Sequence, residues 1–309
     1  MKKIAFIAIL AFAISLMACD EFFSTSWGSP REFQLSNVNV EGDNVDQWFE
    51  LVVGDPDLAL IVSDAIAETV EENAEALEEI ADSLEEIAEK LDDPTIGNEE
   101  KAKLEEEKAK LEEEQVKLQE EQAKLIEGGI RIAIEASGIG TSMVTHASNL
   151  LAELDNSTPS EDMIRGILEN IQNDFINGNG YAAADNIARM VEPNITGRND
   201  GDVPQFDPLL AGLVQPGDAA QTIIVLALAS APDDIDYEDP SSLNKIEDLV
   251  EGLTLNNAGK VAIDESSGTP SSEALTLAAY FNLITSDERF DNNPLTKAIR
   301  GLPLLDFNR

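Results

Sequence analysis

The chain of 309 residues contains one cysteine, Cys19, and one histidine, His146, and this limits the chemistry available to it. The chain has no second histidine and no second cysteine, so it has no ligand set for a transition metal. Any Ser-His or Cys-His pair would have to include His146. On a predicted helix, His146 lies beside Met143 and Leu150 at the margin of the apolar face. We therefore predict a structural histidine and a chain that is not an enzyme.

Two acidic loops are the weak candidates for a metal site. Asp233, Asp234 and Asp236 crowd one loop, and clustered carboxylates suit calcium. The glycine and the glutamate that a calcium-binding loop needs at positions six and twelve are absent, and the run Asn199-Asp200-Gly201-Asp202 is also incomplete. Solvated loops are the default interpretation of both segments, so the sequence predicts no metal and no cofactor.

Gly138-Ile139-Gly140 has the spacing of a dinucleotide-binding loop, but its third glycine position is Met143. No βαβ pattern follows this segment. We interpret it as a helix interruption. Acidic residues occur throughout the chain, so no carboxylate pair stands out as a glycoside-hydrolysing centre.

The N-terminal segment is the most specific signal in the sequence. Lys2 and Lys3 precede an apolar run from Ile4 to Met17, and the run leads into Leu16-Met17-Ala18-Cys19. A charged start, an apolar middle and small residues before a cleavage point are typical of a secretory signal. A transmembrane helix is the alternative, but the run is about six residues short of the roughly twenty needed.

Leu16-Met17-Ala18-Cys19 resembles the lipobox of bacterial lipoproteins. The resemblance implies that the signal, residues 1–18, is removed and that the thiol of Cys19 is joined to diacylglycerol. It also implies a protein held to the membrane by lipid on its extracytoplasmic side, in the periplasm or at the cell surface. With its one thiol committed to lipid, the chain has no internal disulfide and must fold by packing alone.

Charge excludes one class of partner. Lysine and arginine total 20 against 61 aspartates and glutamates, a net charge of −41 that becomes −43 once residues 1–18 are removed. Such a field repels phosphate backbones, so we predict no nucleic-acid partner. Apolar residues make up 43% of the chain and recur at helical spacing, which favours a folded helical protein over an acidic disordered one.

A long helical hairpin is predicted next, with helices over 66–91 and 99–126. The first carries a heptad seam with small residues on its flanks, and the second repeats one leucine per heptad with lysines around it. The seams are Ile66, Val70, Asn73, Leu77, Ile80, Leu84, Ile87 and Leu91, and Leu104, Leu111, Leu118 and Leu125. A turn over 92–98 predicts an antiparallel, coiled-coil-like pair in which the lysines reach the acids of the first helix. The alternative is a single charged helix in solvent.

The complete prediction is an all-α protein with four segments. Residues 1–18 are the signal and 19–42 a tether with a weak strand pattern at Phe33, Leu35, Val38 and Val40. Residues 43–127 hold a short helix and the hairpin. Gly128-Gly129 ends the repeat, and 128–309 form a multi-helix α domain that folds by itself. Its predicted core contains Ile167, Phe175, Ile224, Leu226, Leu228, Leu277 and Phe281.

These features predict a lipid-anchored, non-enzymatic envelope protein that works as a scaffold or binding module. The hairpin would be its docking arm, and a protein would be its partner. A ligand-binding helical subunit associated with a transporter is the alternative, with an apolar cavity among the C-terminal helices. An envelope hydrolase is a third class, and it would need carboxylates converging in a cleft.

Overall fold

The computed structural model describes residues 40–139, 173, 175–230 and 250–291. These residues are mostly helical, which confirms the all-α class. The helices are α1 (Val45–Val52), α2 (Pro56–Leu91), α3 (Asn98–Ala136), α4 (Gly180–Val191), α5 (Pro208–Leu213), α6 (Pro216–Ser230) and α7 (Ser272–Ser286). Two small antiparallel sheets accompany them: β1 (Ile195–Thr196) with β2 (Gln205–Phe206), and β3 (Leu253–Leu255) with β4 (Val261–Ile263).

The start of α2 follows from the residues at the turn before it. Gly54 adopts a φ of 82°, a backbone conformation that favours glycine. The carboxylate of Asp55 accepts a hydrogen bond of 3.1 Å from the Leu58 N–H, and Pro56 occupies the first turn. From there α2 continues for 36 residues, about 54 Å.

α2 and α3 pack against each other more extensively than any other two elements described. All eight residues of the predicted α2 seam are buried or half-buried. Gln122 donates a hydrogen bond of 3.4 Å to the Val70 carbonyl, and Ile66 lies against Gly129, so the helices run in opposite directions. Coiled-coil packing between them stays a prediction.

The predicted ion pairs between these two helices are wrong for three lysines of α3, which pair with glutamates of their own helix. The distances are 3.2 Å for Lys103–Glu99, 2.7 Å for Lys110–Glu106 and 2.6 Å for Lys117–Glu113. In each pair the glutamate lies four residues before the lysine, the favourable helical arrangement. The half-buried leucines therefore carry the contact between the helices, while these charges stay on the surface.

The predicted helix end at Gly128-Gly129 is also wrong, because α3 continues to Ala136. Both glycines are buried inside the helix. A methyl group at Gly128 would collide with the side chain of Val45, and one at Gly129 would meet Ile66 and Met190. The two glycines let α1, α2 and α4 approach α3 closely.

The hydrophobic core passes across Gly129 without interruption. One cluster of buried residues joins α1, α2, the C-terminal third of α3, α4, α6 and α7. The fully buried side chains of Ile66, Leu125, Ile187 and Leu226 come from four of these helices. The packing therefore gives the C-terminal helices a core that they share with the base of the hairpin.

Most of the predicted C-terminal core lies where we expected it. Phe175, Leu226 and Leu277 are at most 1% exposed, and Ile224 and Phe281 are also buried. Leu228 is half-buried against the same cluster. Ile167 lies outside the described residues. The middle of α6 is buried on all sides, as its apolar run predicts, while its C-terminal end is half-buried.

Asn282 on α7 holds both small sheets in place. Its side-chain N–H groups donate to the carbonyls of Pro204 (2.9 Å) and Val261 (2.8 Å), and its oxygen accepts from the Val261 N–H (2.9 Å). The side chain is buried, so all three hydrogen bonds are shielded from water. The sequence predicts a loop over 194–208, whereas β1 and β2 lie inside that range.

The glycine contact gives a direct test of the packing between α1 and α3. Replacing Gly128 with Val should lower the free energy of unfolding by about 1–3 kcal/mol, because the branched side chain has no room beside Val45. Gly212→Val in α5 is the matched control, since the space around Gly212 is open. Denaturant unfolding of both variants measures the difference, and equal stabilities would contradict this packing.

Candidate functional site: the joint between arm and body

The charge of the protein is concentrated in the part of the hairpin that extends beyond the core. We call residues 71–121 the arm and the other described residues the body. The arm carries 21 carboxylates and six lysines, a net charge of −15. It reaches about 35 Å from the core, since α3 contributes 24 residues to it. The residues that hold this arm on the body form the candidate site.

The residues that the sequence singles out for chemistry lie mostly outside the described structure. Cys19, His146 and the acidic loop with Asp233, Asp234 and Asp236 all fall there. Lipidation of Cys19 stays a prediction, and the acidic loop stays a weak candidate whose default interpretation is a solvated loop.

The second acidic loop is described, and its carboxylates serve the backbone. Asp202 accepts hydrogen bonds of 3.1 Å from both nitrogens of Asn199, and Asp200 accepts one of 3.2 Å from the Glu265 N–H. Within the described ranges, no group of three or more His, Cys, Asp or Glu side chains is placed to hold a metal ion. Gly138 follows the end of α3 with a φ of 67°, which agrees with a helix interruption there.

Arg189 of α4 is the central residue of the joint. Its Nε and second terminal nitrogen donate to the two oxygens of Glu71 at 2.8 and 2.9 Å, which makes a bidentate pair. Its other terminal nitrogen donates to Asp64 at 2.8 Å. The Arg189 side chain is 28% exposed. A planar guanidinium in this arrangement fixes both distance and orientation, so it locks α4 to α2 where the arm leaves the body.

A buried polar pair lies next to this ion pair. Asn186, one turn before Arg189 on α4, donates a hydrogen bond of 2.9 Å to the Ser63 hydroxyl, and that hydroxyl donates 2.9 Å to the Leu60 carbonyl. Ser63 and Asn186 are 0% and 3% exposed. Satisfied polar groups in a dry interface allow one register, because any slip would leave them unpaired.

The opposite side of the joint holds α1 on α3. The Arg131 guanidinium lies 4.5 Å from the centre of the Phe49 ring and 3.2 Å from the Asp46 carboxylate. One step closer to the tip, Lys124 pairs with Asp43 at 2.9 Å. Nearer the end of α3, the buried Glu135 carboxylate accepts a hydrogen bond of 2.8 Å from the Gly54 N–H. The base of the arm is therefore clamped from two sides.

Two carboxyl groups at the joint respond to pH in opposite directions. The hydrogen bond from Arg189 lowers the pKa of Glu71. Burial, and then the charge of Asp218 on α6, raises the pKa of Glu127, while Arg131 opposes this rise. Ionised Glu71 therefore adds stability that is lost as the pH falls through its lowered pKa. Ionised Glu127 costs stability that is regained as the pH falls through its raised pKa.

This arrangement fixes how the arm leaves the body. The single positive charge of Arg189 offsets one of the two negative charges of Glu71 and Asp64. Sequence reasoning missed Arg189, although one signal was present. Asp64 and Glu71 are seven residues apart on α2, so they share a helix face that suits a cation from a third helix.

The chain matches no protein-family model, and no curated protein or solved structure shows a significant match to it. Among the described residues, no helix is both long and apolar enough to span a bilayer.

A double-mutant cycle tests the joint. Arg189→Gln and Glu71→Gln should each destabilise the protein, and the cycle should give a coupling energy of about 1 kcal/mol, because the pair is bidentate and partly shielded. Lys110→Gln with Glu106→Gln is the control, a pair within α3 whose two side chains are exposed. Urea unfolding should show weaker coupling there, because this pair is exposed, and equal coupling for the two pairs would contradict the role of Arg189.

Glu127 gives a pH test. Glu127→Gln should be more stable than the parent chain at pH 7, because the neutral amide avoids the cost of a partly buried charge near Asp218. On acidification toward pH 4.5, the parent should regain that difference and the variant should not. Glu75→Gln removes an exposed carboxylate of the arm and controls for net charge. Melting curves between pH 7 and 4.5 measure all three, and parallel pH profiles would contradict this account.

Proposed function

We propose that this protein is a lipid-anchored, non-enzymatic envelope protein that presents a rigid helical arm as a scaffold or binding module. The observation that carries the proposal is the run Leu16-Met17-Ala18-Cys19 at the end of a charged and apolar leader. In this proposal Cys19 becomes the first residue of the mature chain and carries the lipid. The folded part then lies on the extracytoplasmic side of the membrane.

The joint supports the scaffold role. A spacer or docking arm must keep a fixed orientation relative to the body. Free rotation at its base would abolish that orientation. Arg189 with Glu71 on one side, and Arg131 with Phe49 on the other, fix the base of the arm from two directions. Buried Ile66 and Leu125 add apolar packing between these clamps.

The charge of the arm supports a protein partner with a basic contact surface. Its net charge of −15 lies on exposed side chains, where it speeds the approach of a cationic surface and repels an anionic one. Such an association should weaken as salt is added, because exposed charges are screened over about 8 Å at physiological ionic strength. Nucleic acid is excluded as a partner by the same charge.

Replacing Cys19 with Ser tests the anchor. The variant should accumulate as an unprocessed precursor or leave the detergent phase, because no thiol remains to accept diacylglycerol. Ser24→Ala, five residues downstream, is the matched control and should behave as the parent chain. Phase partition with a nonionic detergent and the mass of the mature protein measure the outcome. A Cys19→Ser form of mature size that stays in the detergent phase would overturn the proposal.

A further inference from the structure

The two helices of the arm differ in the spacing of their own charges. The arm part of α2, residues 71–91, carries nine acidic residues and one lysine. Five pairs of these acids are four residues apart, so their side chains are neighbours on the helix surface. The pairs are Glu71 with Glu75, Glu75 with Glu79, Glu78 with Asp82, Asp82 with Glu86, and Glu85 with Glu89. Like charges at this spacing repel each other and destabilise the helix that carries them.

α3 has the opposite arrangement. Between Glu99 and Glu121, no two acidic residues and no two lysines are three or four residues apart. Four lysines instead pair with glutamates four residues away in the same helix. The pairs are Lys103–Glu99, Lys108–Glu112, Lys110–Glu106 and Lys117–Glu113. The side chains of α3 therefore stabilise their own helix, whereas the arm part of α2 depends on its contacts with α3.

The packing that holds the two helices together is weaker in the arm than at its base. The arm is described throughout, and Ile80 and Ile87 are its only buried residues, while all six of its leucines are half-buried. At the base, Ile66 and Leu125 have no measurable exposure. Segments with few buried apolar contacts open more readily than the rest of a structure. The arm part of α2 combines this weak packing with charge repulsion inside its own helix.

We propose that the arm opens locally: residues 72–91 leave α3 and lose their helical structure, while α3 remains a helix. The opening ends at the joint, where Arg189 holds Glu71 with two hydrogen bonds and Gln122 donates to the Val70 carbonyl. The last third of α3 lies in the core, so α3 keeps the direction of the arm in both states. The open state is a minor one, and the repulsion within α2 sets its population.

Salt should act on the two helices in opposite directions. Side chains four residues apart have Cβ atoms about 5–6 Å apart. The screening length falls from about 30 Å at 0.01 M salt to about 3 Å at 1 M, so only concentrated salt screens these pairs well. Screening removes repulsion in α2 and attraction in α3. Added salt therefore closes the arm part of α2 without strengthening α3.

One consequence rests on the proposed function. The closed helix holds its nine carboxylates along about 30 Å, a higher charge density than that of the unfolded segment. A basic contact surface therefore binds the closed state more tightly and shifts the arm toward it. The partner would order this part of α2 as it binds.

Hydrogen exchange of the full chain tests the opening. In about 0.01 M salt, the amides of residues 75–91 should be protected roughly tenfold less than those of residues 101–121. They should also be protected less than the amides of α7, because they exchange by local opening and not by unfolding of the body. In about 1 M salt, protection of residues 75–91 should rise, and that of residues 101–121 should stay level or fall.

Asp82→Lys isolates the cause. Asp82 is exposed and lies four residues from both Glu78 and Glu86, so the lysine turns two repulsions into attractions. Protection of residues 75–91 should rise roughly fivefold at low salt, and the response to salt should shrink. Glu113→Lys is the matched control, because it changes the charge of the arm equally but breaks the pair with Lys117. It should leave residues 75–91 no better protected than in the parent chain. Unchanged protection of α7 shows that each variant is folded.

Three results would overturn the opening. The first is equal protection of residues 75–91 and 101–121 at low salt, which would mean that the arm opens as one unit or stays closed. The second is protection of residues 75–91 that does not rise with salt. The third is an equal gain of protection in Asp82→Lys and Glu113→Lys, since net charge alone would then explain the effect.

A lysine peptide of about twenty residues tests the consequence for the partner separately. Added at low salt, the peptide should raise the protection of residues 75–91, because it neutralises the acids of α2. A response to salt without a response to the peptide would overturn the basic partner of the proposed function and leave the opening supported.

Discussion

Burial of the base of α2 against the last third of α3 is the interaction on which the rest of the structure depends. Ile66 and Val70 enter the core from one helix and Leu125 and Ile132 from the other, all without measurable exposure. Removing a side chain such as that of Ile66 should cost about 2–5 kcal/mol. The C-terminal helices α4, α6 and α7 complete this core. The arm and the body are therefore stabilised by the same packing contacts.

The charge distribution follows from that arrangement. With a net charge of −41, the negative side chains of this protein repel one another. Packing every part of the chain compactly would raise that electrostatic repulsion energy. The arm places 21 of the 61 carboxylates along two exposed helices, where water and local lysines screen them. At the joint, Arg189 and Arg131 form ion pairs with neighbouring acidic residues, so charged helices can pack close to the core.

The sequence predicted the elements with strong periodicity and missed those set by tertiary contacts. The seam of α2 followed from its heptad spacing, because burial of one face imposes a helical period, and the burial of α6 followed from its continuous apolar run. The helix end predicted at Gly128-Gly129 was wrong, because a glycine pair in a sequence usually indicates that a helix ends there. Here Val45, Ile66 and Met190 stabilise the helix through packing that glycine allows. The strands of two or three residues leave no periodic signal at all. Arg189 likewise needs a partner 118 residues away in sequence.

Thermal unfolding of residues 138–309 as a separate chain tests the central claim most directly. This segment begins just after α3 and so contains α4, α6 and α7 without α1, α2 and α3. The account predicts no cooperative transition, because the buried faces of α4 and α6 would be left without Ile66, Leu125 and their neighbours. A cooperative transition at the melting temperature of the full chain would contradict a core shared between arm and body.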